Sequence, residues 1–326
     1  MGDLASGYNI IQKVGDGARS QVFQVVDPTT GQVYALKRVI RESHEDNRFL
    51  VQAIAEYEVS SRLDHPCLRK SYALKRIRRF LRLTEVQTLM EFVDGISLDK
   101  RRPERIDQTV DMFLKVAEGL GAMHEANLLH TDLKPNNILI ALDGAVKIID
   151  FGQSCPIGFR KPRIQGTPDY IAPEQVERWN LSRRTDVFNF GATLYWTLTG
   201  QAYPTMITKK GTQHDRKEAR RKSVPAPQAL NPEIPSALSR LVMQACALDP
   251  NDRPQDMKEI IGRMEMVHHV LAKRKRAGHD MSTTAKTPPT AGTDTPSSRS
   301  TGDAPDLNEP SRNATQKKRH DTGGAL

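Results

Sequence analysis

β-Branched and apolar stretches alternate with turn residues over residues 8–40. Tyr8, Ile10, Ile11 and Val14 lead into Gly15-Asp16-Gly17, Val22 to Val26 lead into Asp27-Pro28-Thr29-Thr30-Gly31, and Val33 to Val39 lead out again. Gly, Pro and Asp take turn dihedrals at low cost, so the pattern predicts three antiparallel strands joined by a glycine loop and a hairpin. Over residues 46–63 the period changes. Leu50, Ile54, Tyr57 and the Val59 to Leu63 region recur at helical spacing, and the pattern stops before His65-Pro66. Two further strands are predicted, the second over Thr88 to Phe92. From Ile106 the spacing is helical, with Val110, Phe113, Leu114, Ala117, Leu120 and Met123 on one side, and the rest reads mostly as helices between Pro-marked loops. A small antiparallel sheet with one helix, followed by a larger and mainly helical part, is an α+β architecture.

After Lys275 the composition shifts to Thr, Pro, Ser, Gly, Asp and Lys. Such a segment buries too little apolar surface to offset its ordering entropy, so residues 277–326 are expected to be disordered. The chain of 326 residues, 37% hydrophobic, thus divides into a domain over 8–272 and a basic, Pro/Ser/Thr-rich tail over 273–326. Its net charge of +9 is local. Arg69, Lys70, Lys75, Arg76, Arg78, Arg79 and Arg82 stand without an acid among them, and the tail carries ten Lys and Arg against six Asp and Glu, which leaves the remainder slightly acidic. No basic face spans the fold, so nucleic acid is the disfavoured partner. The 69–82 run is a solvated edge or a dock for an acidic partner. Cys67, Cys155 and Cys246 have no metal-ligand spacing and fit a reducing cytoplasm. No apolar run approaches the ~18 residues of a membrane span, and no signal-peptide core is visible at the N-terminus.

The candidate chemistry is concentrated in His130-Thr131-Asp132-Leu133-Lys134-Pro135-Asn136-Asn137 and Asp150-Phe151-Gly152. Asp132 can accept a hydroxyl proton, Lys134 can neutralise a migrating phosphoryl group, and Asn137 and Asp150 offer the hard oxygens that magnesium prefers. Upstream lie Val14-Gly15-Asp16-Gly17, Tyr34-Ala35-Leu36-Lys37 and Met90-Glu91-Phe92-Val93. Downstream lie Gly166-Thr167-Pro168, Ala172-Pro173-Glu174, Thr185-Asp186-Val187 and Asp249-Pro250-Asn251-Asp252-Arg253-Pro254. In this order the motifs resemble those of eukaryotic-like serine/threonine protein kinases, and the compact chain is similar to the bacterial Hanks-type group.

The resemblance implies a two-lobed fold, with an N-lobe over about 8–93 and a C-lobe over about 94–272, that uses ATP and Mg2+ on protein substrates. It places Gly15 and Gly17 over the phosphates, Val22 and Ala35 above the adenine and Leu139 below it, with Val14 also among the ATP-binding residues. Met90 would stand behind the base, with the backbone of Glu91 and Val93 at its edge. Lys37 would reach the α- and β-phosphates and pair with a helical glutamate. Glu56 is preferred, with Glu58 the competitor and Ser60 standing where the family usually has an apolar residue. Asp132 would orient the substrate hydroxyl beside Lys134 and Thr167, the latter pair resembling serine/threonine rather than tyrosine specificity. Asn137 and Asp150 would hold the metal. His130, Glu174, Asp186 and Arg253 are implied as structural supports.

Thr131 departs from the arginine that grips an activation-loop phosphate in kinases switched that way. Between Gly152 and Gly166 the only hydroxyl residue is Ser154, while Arg160, Lys161 and Arg163 add positive charge. A loop phosphate is therefore not expected to be needed. A pseudokinase or scaffold typically loses the lysine, the catalytic aspartate or the metal aspartate, and all are present. A small-molecule phosphotransferase would not need the 150–174 segment.

Overall fold

The computed structural model describes residues 4–17, 19–207 and 224–284. Its N-terminal part is a five-stranded sheet of β1 (Asn9–Asp16), β2 (Ser20–Val26), β3 (Val33–Ile40), β4 (Ser71–Arg79) and β5 (Arg82–Glu91), in the order β1-β2-β3-β5-β4. All neighbours are antiparallel. The β2–β3 turn closes because Asp27 Oδ1 accepts the Thr29 and Thr30 amides at 2.8 and 3.3 Å, a carboxylate substituting for the missing ladder. Helix α1 (Asn47–Ser60) lies between β3 and β4 in sequence and packs Leu50 and Ala53 on Val39 and Val86.

Strand β5 begins at Arg82, six residues before the expected start at Thr88. Arg82 to Gln87 carry too many polar residues to read as a strand alone, but pairing with β4 on one side and β3 on the other satisfies their backbone. The basic 69–82 run is consequently β4, at the sheet edge, together with its hairpin.

The C-terminal part is built on α2 (Ile106–Glu125), which buries Val110, Phe113, Val116, Ala117, Leu120 and Met123. Leu114 is only partly buried against the same core. Against α2 pack α4 (Arg183–Thr199), with Phe113 and Phe190 edge to face at 5.3 Å, and the three strands β6 (Gly95–Ser97), β8 (Ile138–Ala141) and β9 (Val146–Ile148), in the order β6-β8-β9. β7 (Leu128–Leu129) pairs with β10 (Cys155–Pro156). Helices α3 (Pro173–Glu177), α5 (Pro227–Leu230), α6 (Ser236–Ala245) and α7 (Met257–Thr284) complete it. Gly191 on α4 lets α6 come close, since a Cβ there would stand 2.7 Å from Ala245 Cβ.

Helix α7 continues past the composition change at Lys275 to Thr284, as a helix anchored on a buried first half adds residues at little further cost. Residues 277–284, expected to be disordered, are thus helical, and the rest of that expectation, residues 285–326, lies outside the described residues. No helix among the described residues is long and apolar enough to cross a membrane.

Candidate active site

Two loops bracket the three-stranded C-terminal sheet and carry the polar residues that the sequence singled out. Residues 130–137 run from β7 to β8, and Asp150-Phe151-Gly152 follow β9. Both are bent backbone, with Thr131 at φ +62 and Asp150 at φ +66, a region costly for residues with a Cβ and kept only where surroundings impose it. Asp186 imposes part of it. Its buried carboxylate accepts the His130 amide at 2.9 Å and the Thr131 amide at 2.7 Å and meets His124 Nε2 at 2.9 Å. Burial alone would raise the Asp186 pKa, but the His124 hydrogen bond, the His124 and His130 charges and the Thr131 amide hold it below the ordinary carboxylate value. The His130 ring packs edge on Phe151 with centroids 5.7 Å apart.

Asp132 sits in a three-way contact. Its Oδ2 accepts from Lys134 Nζ at 3.0 Å, its Oδ1 accepts from Thr167 Oγ1 at 2.8 Å, and Lys134 Nζ lies 2.9 Å from the same hydroxyl. Asn137 donates Nδ2 to the Asp132 carbonyl at 2.9 Å, which fixes the amide and leaves its oxygen for another partner. Burial opposes ionisation of Asp150, yet the charge of Lys37, then His130, the Gly152 amide and Lys134, keep its carboxyl below the ordinary range. Two oxygen donors fit magnesium whose remaining sites are filled by phosphate and water, rather than a cage made wholly by protein. The described residues hold no cluster of three or more His, Cys, Asp or Glu side chains that could hold a metal ion.

Above this, Lys37 on β3 reaches Glu56 of α1, with Nζ 2.6 Å from Oε2. Burial disfavours the Lys37 charge, but Glu56 and Asp150 more than offset this and raise its pKa. Glu58 points elsewhere, toward Arg76 at 4.0 Å. The other oxygen of Glu56 takes Arg69 Nη2 at 3.1 Å. Arg69 had been read only as part of the basic run; no local signal marks it, since the contact joins β4's approach to α1. Ser60, the expected apolar position, has its hydroxyl 2.7 Å from the Glu56 carbonyl and 2.6 Å from Ser71 Oγ. Two buried hydroxyls therefore satisfy each other where an apolar contact would otherwise lie.

Lys37, Glu56 and Asp150 line a cavity of about 180 Å³ together with Arg19, Ser20 and Phe49. A larger cavity, about 630 Å³ between β6, β8 and the start of α2, contains none of these groups. Ala35 faces Met90 across the β3–β5 ladder, and Val22 faces both Gly15 and Lys37. Leu139 faces Lys147 on β9, whose Nζ meets Glu91 Oε1 at 2.6 Å and so ties that sheet to the end of β5 beside Val93. Val14 lies exposed on β1. At Gly17 a Cβ would come 2.7 Å from Ser20 Oγ, so the serine replacing the family's third glycine closes the loop against Gly17.

Residues 8–270 match the family described as protein kinase domain. This chain belongs to that family. It is 28% identical to the probable serine/threonine-protein kinase PknB of Lactococcus lactis over 276 residues, covering 79% of this chain and 41% of that protein. It is 31% identical to the serine/threonine-protein kinase PknL of Mycobacterium tuberculosis over 277 residues, covering 82% and 67%. The serine/threonine-protein kinase PknD of Chlamydia caviae is 29% identical over 293 residues, covering 79% and 31%. The chain thus spans about two fifths or less of the length of several of the relatives it matches.

Two further features hold residues 150–174. Glu174 and Arg253 form a buried bidentate pair at 2.8 and 2.9 Å. The remaining guanidinium protons reach the carbonyls of Arg184, Ala247 and Leu248, and the group stacks 4.9 Å from the Phe188 ring centre. Lys161, expected on a charged loop, is instead buried. Its Nζ donates to Thr131 Oγ1 and to the Gln153 carbonyl, both at 2.6 Å, while Thr131 Oγ1 donates to that carbonyl at 2.7 Å. The small threonine leaves room for the lysine, so residues 150–174 return to the 130–137 loop through a lysine of their own.

Proposed function

We propose that this chain is an active serine/threonine protein kinase that transfers the γ-phosphoryl group of ATP to protein hydroxyls. The observation that carries this reading is the convergence of Lys134 and Thr167 on Asp132, within one site that also keeps Asn137, Asp150 and the Lys37–Glu56 pair. Family members generally use ATP and magnesium. The Asn137 amide oxygen and the Asp150 carboxylate are the groups that would hold the metal, which when bound supplies neutralisation of phosphate charge.

In the step itself, a serine or threonine hydroxyl of the substrate displaces Thr167 Oγ1 from Asp132 Oδ1. Its oxygen attacks the γ-phosphorus in line, the bond to the β–γ bridging oxygen breaks, and its proton passes to Asp132. Lys134 holds the equatorial charge that migrates, and Lys37, fixed by Glu56, holds the α- and β-phosphates. Val14, Gly15, Gly17, Val22, Ala35, Met90 and Leu139, with the backbone at Glu91 and Val93, form the proposed nucleotide cleft. Three buried free cysteines suit a cytoplasmic setting. A pseudokinase reading has no lost group to support it.

Purified chain incubated with labelled ATP, magnesium and a serine/threonine peptide mixture should transfer phosphate, and Asp132→Asn and Asp150→Ala should each lower the rate by roughly 10² or more. Wild-type transfer no faster than that of Asp132→Asn would leave a scaffold. The same reading includes activity without loop phosphorylation, supported by the Lys161–Thr131 contact and by the buried hydroxyl oxygen of Ser154. Phosphatase-treated kinase should start at its full rate. A lag abolished by preincubation with ATP and mapped to Ser154 or Thr167 would contradict it.

A further inference from the structure

Strands β4 and β5 turn through a two-residue loop, Phe80-Leu81, with Arg79 facing Arg82 across the last ladder pair. Three features of this tip oppose folding and are repaid by no contact among the described residues. Phe80 takes φ +55, which such loops reserve for Gly or Asn because a Cβ crowds the neighbouring carbonyl. Phe80 and Leu81 are 97% and 96% exposed, leaving both apolar side chains in water. Arg79 and Arg82 lie directly opposite each other, where like charges repel, and Arg78 adds a third exposed guanidinium.

Nearer the start of the same run three charges are partnered. Arg69 meets Glu56, Lys70 meets Asp64, and Arg76 approaches Glu58. Lys75, Arg78, Arg79 and Arg82 have no carboxylate partner among the described residues. The unmatched charge is thus concentrated toward the tip, beside the two apolar side chains, on the edge strand of the sheet.

We propose that this tip docks the protein on an anionic lipid surface, with Phe80 and Leu81 entering the acyl boundary while Arg78, Arg79 and Arg82 sit among the headgroup phosphates. A bilayer interface accepts a convex apolar point without a matching pocket and concentrates anions around it. A protein partner would need a concave pocket shaped for the tip. Nucleic acid would neutralise the arginines but leave Phe80 and Leu81 in water.

The test is sedimentation of the full chain with vesicles of phosphatidylcholine alone and of phosphatidylcholine containing phosphatidylglycerol. Wild-type protein should bind only the anionic vesicles. The double variant Phe80→Asn, Leu81→Gly removes both apolar side chains and puts at position 80 a residue that tolerates its positive φ, so it should melt no lower than wild type while binding about tenfold or more weakly. Arg79→Gln should weaken binding about fivefold. Failure of the wild type to bind anionic vesicles overturns the proposal. So does undiminished binding by the Asn-Gly variant, which would reduce the site to a dock for polyanions, and parallel titration with duplex DNA or an acidic protein would then identify which.

Discussion

Lys161 brings its amine to two neutral oxygens, Thr131 Oγ1 and the Gln153 carbonyl, with no carboxylate in direct contact. Burial therefore lowers its pKa, and the more distant Cys155, Asp132 and Asp186 only partly oppose this. The sign of the pH dependence follows. Below the folded pKa both states carry the charge, and the folded state bears the full desolvation cost. As pH rises through the folded value, the folded amine loses its proton before the unfolded one, so stability climbs until the ordinary value of 10.5 is reached. Lys161→Met should remove this alkaline rise, visible in denaturant midpoints measured across that window. At neutral pH it should cost about 1–3 kcal/mol, because two buried acceptors lose a donor. If Lys161 anchors the activation segment, the same variant should also slow peptide phosphorylation.

Among the elements, α1 depends on more than its apolar face. Glu56 binds Lys37 from the sheet and Arg69 from the chain leading into β4, and the Ser60–Ser71 hydroxyl pair joins the helix to β4 one turn later. These contacts fix the helix position that the ion pair requires. Ser60→Ala strands the buried Ser71 hydroxyl and should cost about 1–3 kcal/mol, while Ser71→Ala leaves Ser60 its Glu56 carbonyl and should cost about 1 kcal/mol. The double variant should lose less than the sum, because no unpaired hydroxyl remains. Urea midpoints of the three variants provide the cycle, and strict additivity would mean that the two hydroxyls are not coupled.

For the molecule as a whole, the Glu174–Arg253 pair joins the start of α3 to the chain between α6 and α7, 79 positions away. Every guanidinium nitrogen has a partner, two of them on the Glu174 carboxylate and all three on backbone carbonyls. Glu174→Gln leaves a buried cation without its counter-charge and should lower unfolding stability by about 3–5 kcal/mol. Glu174→Gln with Arg253→Met should regain part of this, since no lone charge is then buried. Equilibrium unfolding of both variants checks the expectation, and equal losses in the two would show that packing rather than charge sets the cost.

The family and the order of strands and helices in the N-terminal part were legible in the sequence, as was the pairing of Lys37 with Glu56. A carboxylate, a lysine and two oxygen ligands at fixed spacing around β8 and β9 leave few other chemistries, and alternating strand and helical periods mark elements that bury one face. Where reading failed, the deciding contacts were distant in sequence. β5 extends back to Arg82 because strands on both sides satisfy a polar backbone. Arg69 serves Glu56 because the chain folds back over α1. Lys161 is buried because a threonine 30 positions earlier leaves space and an acceptor. Local pattern reports which face of an element is apolar; the partner of a buried polar group is chosen by whichever chain arrives beside it, and only the tertiary fold determines that.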